Sequence, residues 1–240
     1  MTDLAVDVIG DGDTAVLVHG GGVRDWTWSD QLALADRYRL VLPYRRGYGE
    51  SPSADPDFEH DGEDVAALLD RRSHLAGFSY GGIGAFLAAA RKPELVRSLV
   101  VIEPPAFGLA AGDPAVQELV ARVEQVYTAH GEATPEEFAL AFGAVVGFEP
   151  RERVDAPLRS ALASFQRERP PWEAEIPLAR LAGIPALVVS GGWHPAFDAV
   201  CRELSARLGA ELVTFLGAGH GAQHAPGFNE RLVELWDSAP

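Results

Sequence analysis

The sequence predicts an α/β protein with a mostly parallel sheet that is covered by helices on both faces. Short apolar runs, of the kind that form strands buried on both faces of a sheet, alternate with longer segments of helical spacing. Strands separated by helices in this way pair in parallel. The chain has 240 residues, enough to bury the core of one domain or of a core domain that carries an insertion.

The first half of the chain sets this alternation. Weak alternation predicts a strand over residues 4–9, and apolar β-branched residues predict a second strand over 14–18. The remaining elements here are a helix over 25–36, a strand over 39–42, an acidic helix over 58–72, a strand over 74–78, a helix over 80–91 and a strand over 98–102. Pro93 stops the helix over 80–91, since a proline ring cannot continue a helix.

The alternation of predicted strands and helices stops at residue 107 and resumes later in the chain. Residues 107–181 hold no convincing strand, and amphipathic segments predict helices over 114–130, 135–147, 156–169 and 172–181. The alternation resumes with a strand over 184–190, a helix over 196–208, a strand over 211–216 and a helix over 227–236. We therefore expect a core of residues 1–104 and 184–240, with residues 105–183 inserted after the strand that ends at Glu103 as a helical cap, or lid.

Composition and charge exclude several classes of partner. The net charge of −15 argues against nucleic acid and anionic membrane, because the field of the whole molecule would repel them. The single cysteine, Cys201, rules out an intramolecular disulfide. The N-terminus lacks a basic region followed by an apolar stretch, and no apolar run approaches the length of a membrane span. We expect a cytoplasmic protein; its oligomeric state is left open.

The most informative stretch is Gly77-Phe78-Ser79-Tyr80-Gly81, between a predicted strand and a predicted helix. This Gly-x-Ser-x-Gly spacing is typical of a nucleophile elbow. Glycines are needed where a Cβ would collide with the neighbouring chain. The turn lifts the Ser79 hydroxyl clear of the sheet and leaves the Tyr80 N–H at a helix N-terminus, free to donate.

With this elbow and four further pieces, the chain resembles the α/β-hydrolase superfamily over nearly its whole length. In order, the pieces are His19-Gly20-Gly21-Gly22, the loop Arg46-Gly47-Tyr48-Gly49-Glu50-Ser51, the elbow, the helical cap and Gly219-His220. The resemblance implies an α/β-hydrolase fold whose site lies at the carboxyl ends of the strands. It also implies a hydrolytic enzyme that needs no organic cofactor.

The resemblance assigns roles that chemistry supports. A neutral serine hydroxyl needs a neighbouring base, and His220 lies where the family places it. Acyl transfer builds a negative oxygen, and two backbone N–H groups can hold it. Tyr80 supplies one by its position, and by resemblance Gly21 supplies the other, with Gly22 as the alternate.

The orienting acid departs from the family pattern. The family usually carries it in a stretch like Gly-x-x-Asp-Pro, whereas this chain reads Gly191-Gly192-Trp193-His194-Pro195. Histidine cannot act as the buried anion that orients the base. Glu103 is our first candidate, since certain haloalkane dehalogenases supply the acid from that strand. Asp198, or a dyad without a carboxylate, stays open.

Side chains near the predicted site loops could shape an apolar substrate pocket. They are Trp26, Phe78, Phe107, Trp193 and His194. No His/Cys/carboxylate cluster has the spacing of a metal site, so no metal is expected.

The resulting hypothesis is a serine hydrolase that cleaves an ester, thioester or lactone of a small, partly apolar substrate through an acyl-enzyme. Two alternatives stay open. One is a ligand-binding receptor with the same fold and a decayed triad. The other is a carbon–carbon hydrolase or cyclase-type tailoring enzyme, which differs in what the base contacts and in the chemistry of the cap.

Overall fold

A computed structural model describes residues 2–148 and 154–240. Its centre is a seven-stranded sheet with the order β1-β3-β2-β4-β5-β6-β7. The strands are β1 (Val6–Ile9), β2 (Asp13–Val18), β3 (Tyr38–Pro43), β4 (Ser73–Phe78), β5 (Val96–Ile102), β6 (Ala186–Ser190) and β7 (Glu211–Thr214). Only the edge strand β1 runs antiparallel to its neighbour, and β2 to β7 are parallel. The predicted α/β class with a mostly parallel sheet is confirmed.

Helices cover both faces of this sheet. They are α1 (Arg24–Thr27), α2 (Phe58–Leu68), α3 (Tyr80–Arg91), α4 (Pro114–His130), α5 (Pro135–Val146), α6 (Ala156–Phe165), α7 (Pro195–Leu208) and α8 (Phe228–Ser238). Alternate residues of the strands enter two separate cores, as period-two side chains must. Val16, Leu75 and Val101 pack into the core that contains α3, while Leu17 and Ile102 pack into the core that contains α8.

Between β5 and β6 the described chain is helical and contains no strand, as the sequence predicts. This helical insertion (residues 105–183) holds α4, α5, α6 and three short 3-10 turns, at Phe107–Ala110, Pro171–Glu173 and Leu178–Leu181. Residues 149–153 of the predicted cap lie outside the described residues. None of the described helices has the length and apolar character needed to cross a membrane.

Four predicted helices were wrong in extent. The segment over 156–169 is helical only as far as Phe165. The segment over 25–36 is the single turn α1 followed by a 3-10 helix, because the chain leaves helical geometry at Trp28, whose side chain is fully buried. The segment over 172–181 forms only 3-10 turns; Pro177 lies in its middle and interrupts a helix. Helix α2 stops at Leu68, and Lys92 Nζ donates to the Leu69 carbonyl just beyond it.

Because of the strand order, the loops that follow four of the strands lie side by side at one edge of the sheet. β2, β4, β5 and β6 are consecutive neighbours in the sheet and run in the same direction. Their carboxyl ends lead directly into His19, Ser79, Glu103 and Gly191. Residues far apart in sequence therefore become neighbours along this edge.

His74 on β4 provides a test of how the buried core responds to pH. Its Nδ1 lies 2.8 Å from Ser98 Oγ, its ring stacks on Trp236, and burial followed by the charge of Arg97 lowers its pKa to about 4. The unfolded chain binds this proton near pH 6.5, so the free energy of unfolding should be highest above pH 6.5 and fall as the pH drops towards 4. We expect His74→Asn to flatten this part of the curve, measured by urea unfolding at several pH values. Parallel curves for the two proteins would contradict the argument.

Candidate active site

Ser79 lies in the tight turn between β4 and α3 with a strained backbone. Its φ of 51° and ψ of −129° are rare for a residue with a Cβ. A Cβ added at Gly81 would lie 2.2 Å from the His19 carbonyl oxygen, and one at Gly77 would lie 2.7 Å from the Gly81 oxygen. Both glycines are therefore required by close backbone contact.

The Ser79 hydroxyl faces His220, which lies in the loop after β7. Ser79 Oγ is 2.9 Å from His220 Nε2. With the Ser79 hydroxyl as the donor, His220 Nε2 is the acceptor and the imidazole proton is on Nδ1. This tautomer is assigned from the hydrogen-bond network. The His220 side chain is 16% exposed, so the pair is accessible without being open to bulk water.

Glu103 is the described carboxylate that reaches the other side of the imidazole. It follows β5, is fully buried, and is the second non-glycine residue with a positive φ, 48°. Its Oε2 lies 3.5 Å from His220 Nδ1, beyond ordinary hydrogen-bond distance. Its Oε1 accepts from the Gly191 N–H at 2.5 Å. Ser79, His220 and Glu103 thus form a continuous line of polar atoms.

Trp193 competes for the same carboxylate oxygen. Its indole Nε1 donates to Glu103 Oε2 at 2.8 Å, and His220 Nδ1 has no hydrogen-bond partner among the described residues. The loop after β6 thus contributes donors that fix the carboxylate. Long bonds between a base and its orienting acid are common in proteins without a ligand and shorten in the reacting complex.

The other two candidates at this loop are engaged elsewhere. Asp198 lies within α7 and accepts from Ser190 Oγ at 2.5 Å. His194 is the N-cap of α7, where its Nδ1 accepts from the Ala196 N–H at 3.2 Å. Burial lowers the pKa of His194, which favours the neutral, accepting ring.

Aromatic rings surround the His220 imidazole. Ring centroids lie 4.9 Å away for Phe78, 5.0 Å for Phe197, 5.1 Å for Phe148 and 5.8 Å for Trp193. Sequence reasoning named Phe78 and Trp193 but missed Phe148 and Phe197. Only the folded chain brings the segment just after α5 and the first turn of α7 to the loop after β7. These rings form an apolar wall beside the polar line.

Two predicted pocket residues lie farther out. Phe107 packs on Phe197 at 5.4 Å and so contacts the wall from behind. Trp26 is 44% exposed and lies 4.5 Å from the ring of His224, beside the loop that carries His220.

The glycine-rich loop after β2 passes directly beside Ser79. A Cβ added at Gly20 would lie 2.8 Å from Ser79 Cβ. His19 is fully buried; its Nδ1 donates to the Gly20 carbonyl at 2.8 Å and its Nε2 accepts from the Arg45 N–H at 3.0 Å. Burial, assisted by the charge of Arg45, lowers its pKa well below the usual value, so this histidine is neutral and structural.

A buried charge cluster lies behind this loop, and sequence reasoning missed it. Arg45 is 1% exposed and donates to Asp61 Oδ2, Glu168 Oε1 and the Gly20 carbonyl at 2.8, 2.8 and 3.0 Å. One cation faces two carboxylates here. Burial raises the pKa of both Asp61 and Glu168, because the single charge of Arg45 offsets only part of the cost of burying two carboxylates. The tandem arginines at 45 and 46 were the available signal; the second of them, Arg46, forms an ion pair with Asp64.

The fold and the polar line define an α/β hydrolase, and comparison with known proteins agrees. Residues 15–231 match the sequence model described as the alpha/beta hydrolase family, so the chain belongs to that family. Among residues 2–148 and 154–240 there is no group of three or more metal-ligating side chains that could hold an ion.

Several relatives are named as esterases or hydrolases, and this chain is an enzyme of the same family. A pimeloyl-(acyl-carrier protein) methyl ester esterase of Aeromonas hydrophila is 31% identical over 190 residues, 76% of this chain and 69% of the relative. A 2-hydroxy-6-oxo-6-phenylhexa-2,4-dienoate hydrolase of Burkholderia cepacia is 25% identical over 256 residues, 94% of this chain and 88% of the relative. A solved hydrolase from Pseudomonas aeruginosa is 27% identical with a TM-score of 0.71, covering 98% of this chain and 94% of that chain.

The closeness of the glycine-rich loop to Ser79 can be tested with a matched pair of substitutions. In Gly20→Ala, the new methyl group would meet Ser79 Cβ at 2.8 Å and the Phe78 carbonyl oxygen at 3.1 Å. Overpacking of this kind should lower the free energy of unfolding by about 1–3 kcal/mol. In Gly22→Ala, no described atom beyond the chain neighbours lies within 4 Å, so the change should stay within about 0.5 kcal/mol. Equal urea midpoints for both variants would refute the close approach.

Proposed function

We propose that the protein is a serine hydrolase that cleaves an ester, thioester or lactone of a small, partly apolar substrate through an acyl-enzyme. Ser79 is the nucleophile, His220 the general base and Glu103 the orienting acid. The observation that carries the proposal is the 2.9 Å contact between Ser79 Oγ and His220 Nε2, which lies within the range that proton transfer needs.

In the first half-reaction, Ser79 Oγ forms a bond to the substrate carbonyl carbon as its proton passes to His220 Nε2. The carbonyl electron pair becomes the oxyanion of a tetrahedral intermediate. Collapse breaks the bond to the leaving oxygen or sulfur, which takes the proton from Nε2. Water then attacks the acyl-enzyme in the same sequence, giving its proton to His220 and restoring Ser79.

Glu103 stabilises the imidazolium that forms in each half-reaction, as an orienting carboxylate does in serine proteases. Its position favours this role, because full burial and the Gly191 N–H hold the carboxylate beside the ring. The Tyr80 and Gly21 amides form the oxyanion hole. Tyr80 opens α3, where first-turn N–H groups have no partner within the helix. In the described part of the chain, no acceptor is bonded to the Gly21 N–H.

The substrate class follows from the wall of the site and from a relative. The rings around His220 favour a partly apolar acyl group, and the Aeromonas hydrophila relative is named for hydrolysis of a methyl ester. We also propose that the helical insertion serves as a lid, since Phe148 from this insertion lies directly against the His220 ring.

The Burkholderia cepacia relative supports a second candidate. Its substrate name describes a ketone and no ester, and the match covers more of both chains than the esterase match does. A protein of that type would hydrolyse a carbon–carbon bond beside a ketone. Turnover of a matched oxo-dienoate together with failure on simple esters would favour this candidate.

Ser79→Ala tests the nucleophile. Without the hydroxyl no acyl-enzyme can form, and turnover of a p-nitrophenyl ester should fall by several orders of magnitude, towards the roughly 10⁶-fold loss seen for a serine protease nucleophile. Labelling by a fluorophosphonate probe should disappear as well. Unchanged turnover in the folded variant would remove Ser79 from the mechanism. A wild-type protein that neither labels nor turns over esters would instead favour a ligand receptor.

Glu103→Gln tests the acid, with Asp198→Asn as its matched control. The glutamine keeps the size of the side chain, but its NH₂ group cannot accept one of the two bonds that Gly191 and Trp193 donate, and it lacks the charge that stabilises the imidazolium. The kcat should therefore fall by about 10⁴-fold. In the control, the amide oxygen introduced at position 198 can still accept from Ser190 Oγ, and kcat should stay close to that of the wild type. If instead Asp198→Asn is the variant that loses activity, the acid has been assigned to the wrong loop.

A further inference from the structure

We propose that Arg45 is a positioning residue for the oxyanion hole. Its guanidinium holds the Gly20 carbonyl and thereby fixes the direction of the Gly21 N–H, and Glu168 ties that guanidinium to the helical insertion. The proposal rests on the proposed function, because it needs Gly21 as a donor to the oxyanion.

The argument begins with the peptide plane between Gly20 and Gly21. The Gly20 C=O and the Gly21 N–H belong to one trans peptide unit, so they point in opposite directions. His19 Nδ1 and Arg45 Nη1 both donate to this carbonyl, at 2.8 and 3.0 Å. Holding the oxygen on the Arg45 side therefore turns the N–H away from the cluster and leaves it available for a ligand.

This loop needs such restraint because residues 20–22 are three consecutive glycines. Glycine has the widest choice of backbone angles, so a free peptide unit here could rotate. A rotated unit would present its carbonyl where the negative oxygen develops and would repel it. A charge-assisted bond from Arg45 is about twice as strong as a neutral one, and it also polarises the peptide N–H.

The guanidinium is itself held on several sides. Asp61 accepts from Nε and Glu168 from Nη1, and the Tyr48 hydroxyl donates to the same Glu168 oxygen at 2.7 Å. The Tyr80 ring lies under the guanidinium carbon at 4.5 Å. A planar fork of donors satisfies these partners and Gly20 together, whereas a lysine ammonium on a flexible stem would not. Arg45 is thus fixed tightly enough to fix a neighbour.

Glu168 gives the arrangement a second consequence. It lies in the helical insertion just after α6, while Asp61 and Gly20 belong to the surrounding core elements. From the same insertion, Phe165 covers Gly21, where an added Cβ would meet its ring at 2.7 Å. The geometry of the Gly21 amide therefore depends on the insertion being docked.

The experiment removes Arg45 without leaving unpaired buried charge. The variant Arg45→Met/Asp61→Asn/Glu168→Gln makes the cluster neutral, since removing Arg45 alone would leave two buried carboxylates without a counter-ion. Arg45→Lys serves as the conservative single variant. Arg46→Met is the matched control, since Arg46 pairs with Asp64 and Asp3 and makes no described bond to Gly20. Circular dichroism and urea unfolding establish which variants are folded.

The expected result is a loss confined to the transition state. For p-nitrophenyl ester hydrolysis, kcat should fall by about 10- to 100-fold in the triple variant, below the roughly 10²–10³-fold cost of deleting a donor outright. KM should not change, since the oxyanion exists only beyond the ground state. Inhibition by an alkyl trifluoromethyl ketone, whose serine adduct carries an oxyanion, should weaken in proportion. The pH midpoint of kcat/KM should stay in place, and Arg46→Met should behave as the wild type.

A folded triple variant with kcat and ketone inhibition within twofold of the wild type would overturn the proposal. If the triple variant does not fold, Arg45→Lys decides by the same two measurements. Parallel assays of Ser79→Ala separate this result from a failure of the proposed function. An inactive Ser79→Ala beside fully active Arg45 variants refutes only the role of Arg45, whereas an active Ser79→Ala refutes the serine mechanism itself.

Discussion

Two strained backbone turns at neighbouring strand ends are the constraint on which the site depends. Ser79 after β4 and Glu103 after β5 are the non-glycine residues with positive φ in the described chain, and each such conformation costs about 1–3 kcal/mol. The parallel ladder holds both turns, since the Ser79 N–H donates to the Ile102 carbonyl and the Glu103 N–H to the Val189 carbonyl. The sheet thus extends its own hydrogen bonding into the two turns, and the backbone sets the direction in which each side chain leaves its turn.

The location of the carboxylate changes the use of the next loop. In the proposed mechanism Glu103 provides the anion from the end of β5, and the loop after β6 contributes donors from Gly191 and Trp193. His194 takes over a structural task as the cap of α7. A buried carboxylate needs such donors, because an ionised group without hydrogen bonds is very costly inside a protein. With Glu103 as the proposed acid, the carboxylate follows β5, whereas the usual family pattern places it after the strand that returns from the cap.

Sequence reasoning reached the fold and the order of the site loops because both depend on local signals. The bounds of α3 and α4 agree with the prediction, and the glycines around Ser79 indicate the turn directly. It failed where distant contacts decide. Pairing of Arg45 with Glu168 joins residues 123 positions apart, and Phe148 and Phe197 meet His220 only in the folded chain. No periodicity reports such contacts, since each partner is an ordinary residue in its own segment. The roles of the site residues stay predictions until the variants are assayed.

Trp193 connects the apolar wall to the polar line through one rigid ring. Its face stacks on Phe148 at 5.3 Å while its edge donates to Glu103. An indole has few rotamers, so its stacking and its hydrogen bond are set together. A ligand bulky enough to displace Phe148 removes the ring that stacks on Trp193. The indole N–H that donates to Glu103 is then held less firmly. In the proposed mechanism, the tilt of the Trp193 ring therefore couples the space beside Phe148 to the hydrogen bond on the Glu103 carboxylate.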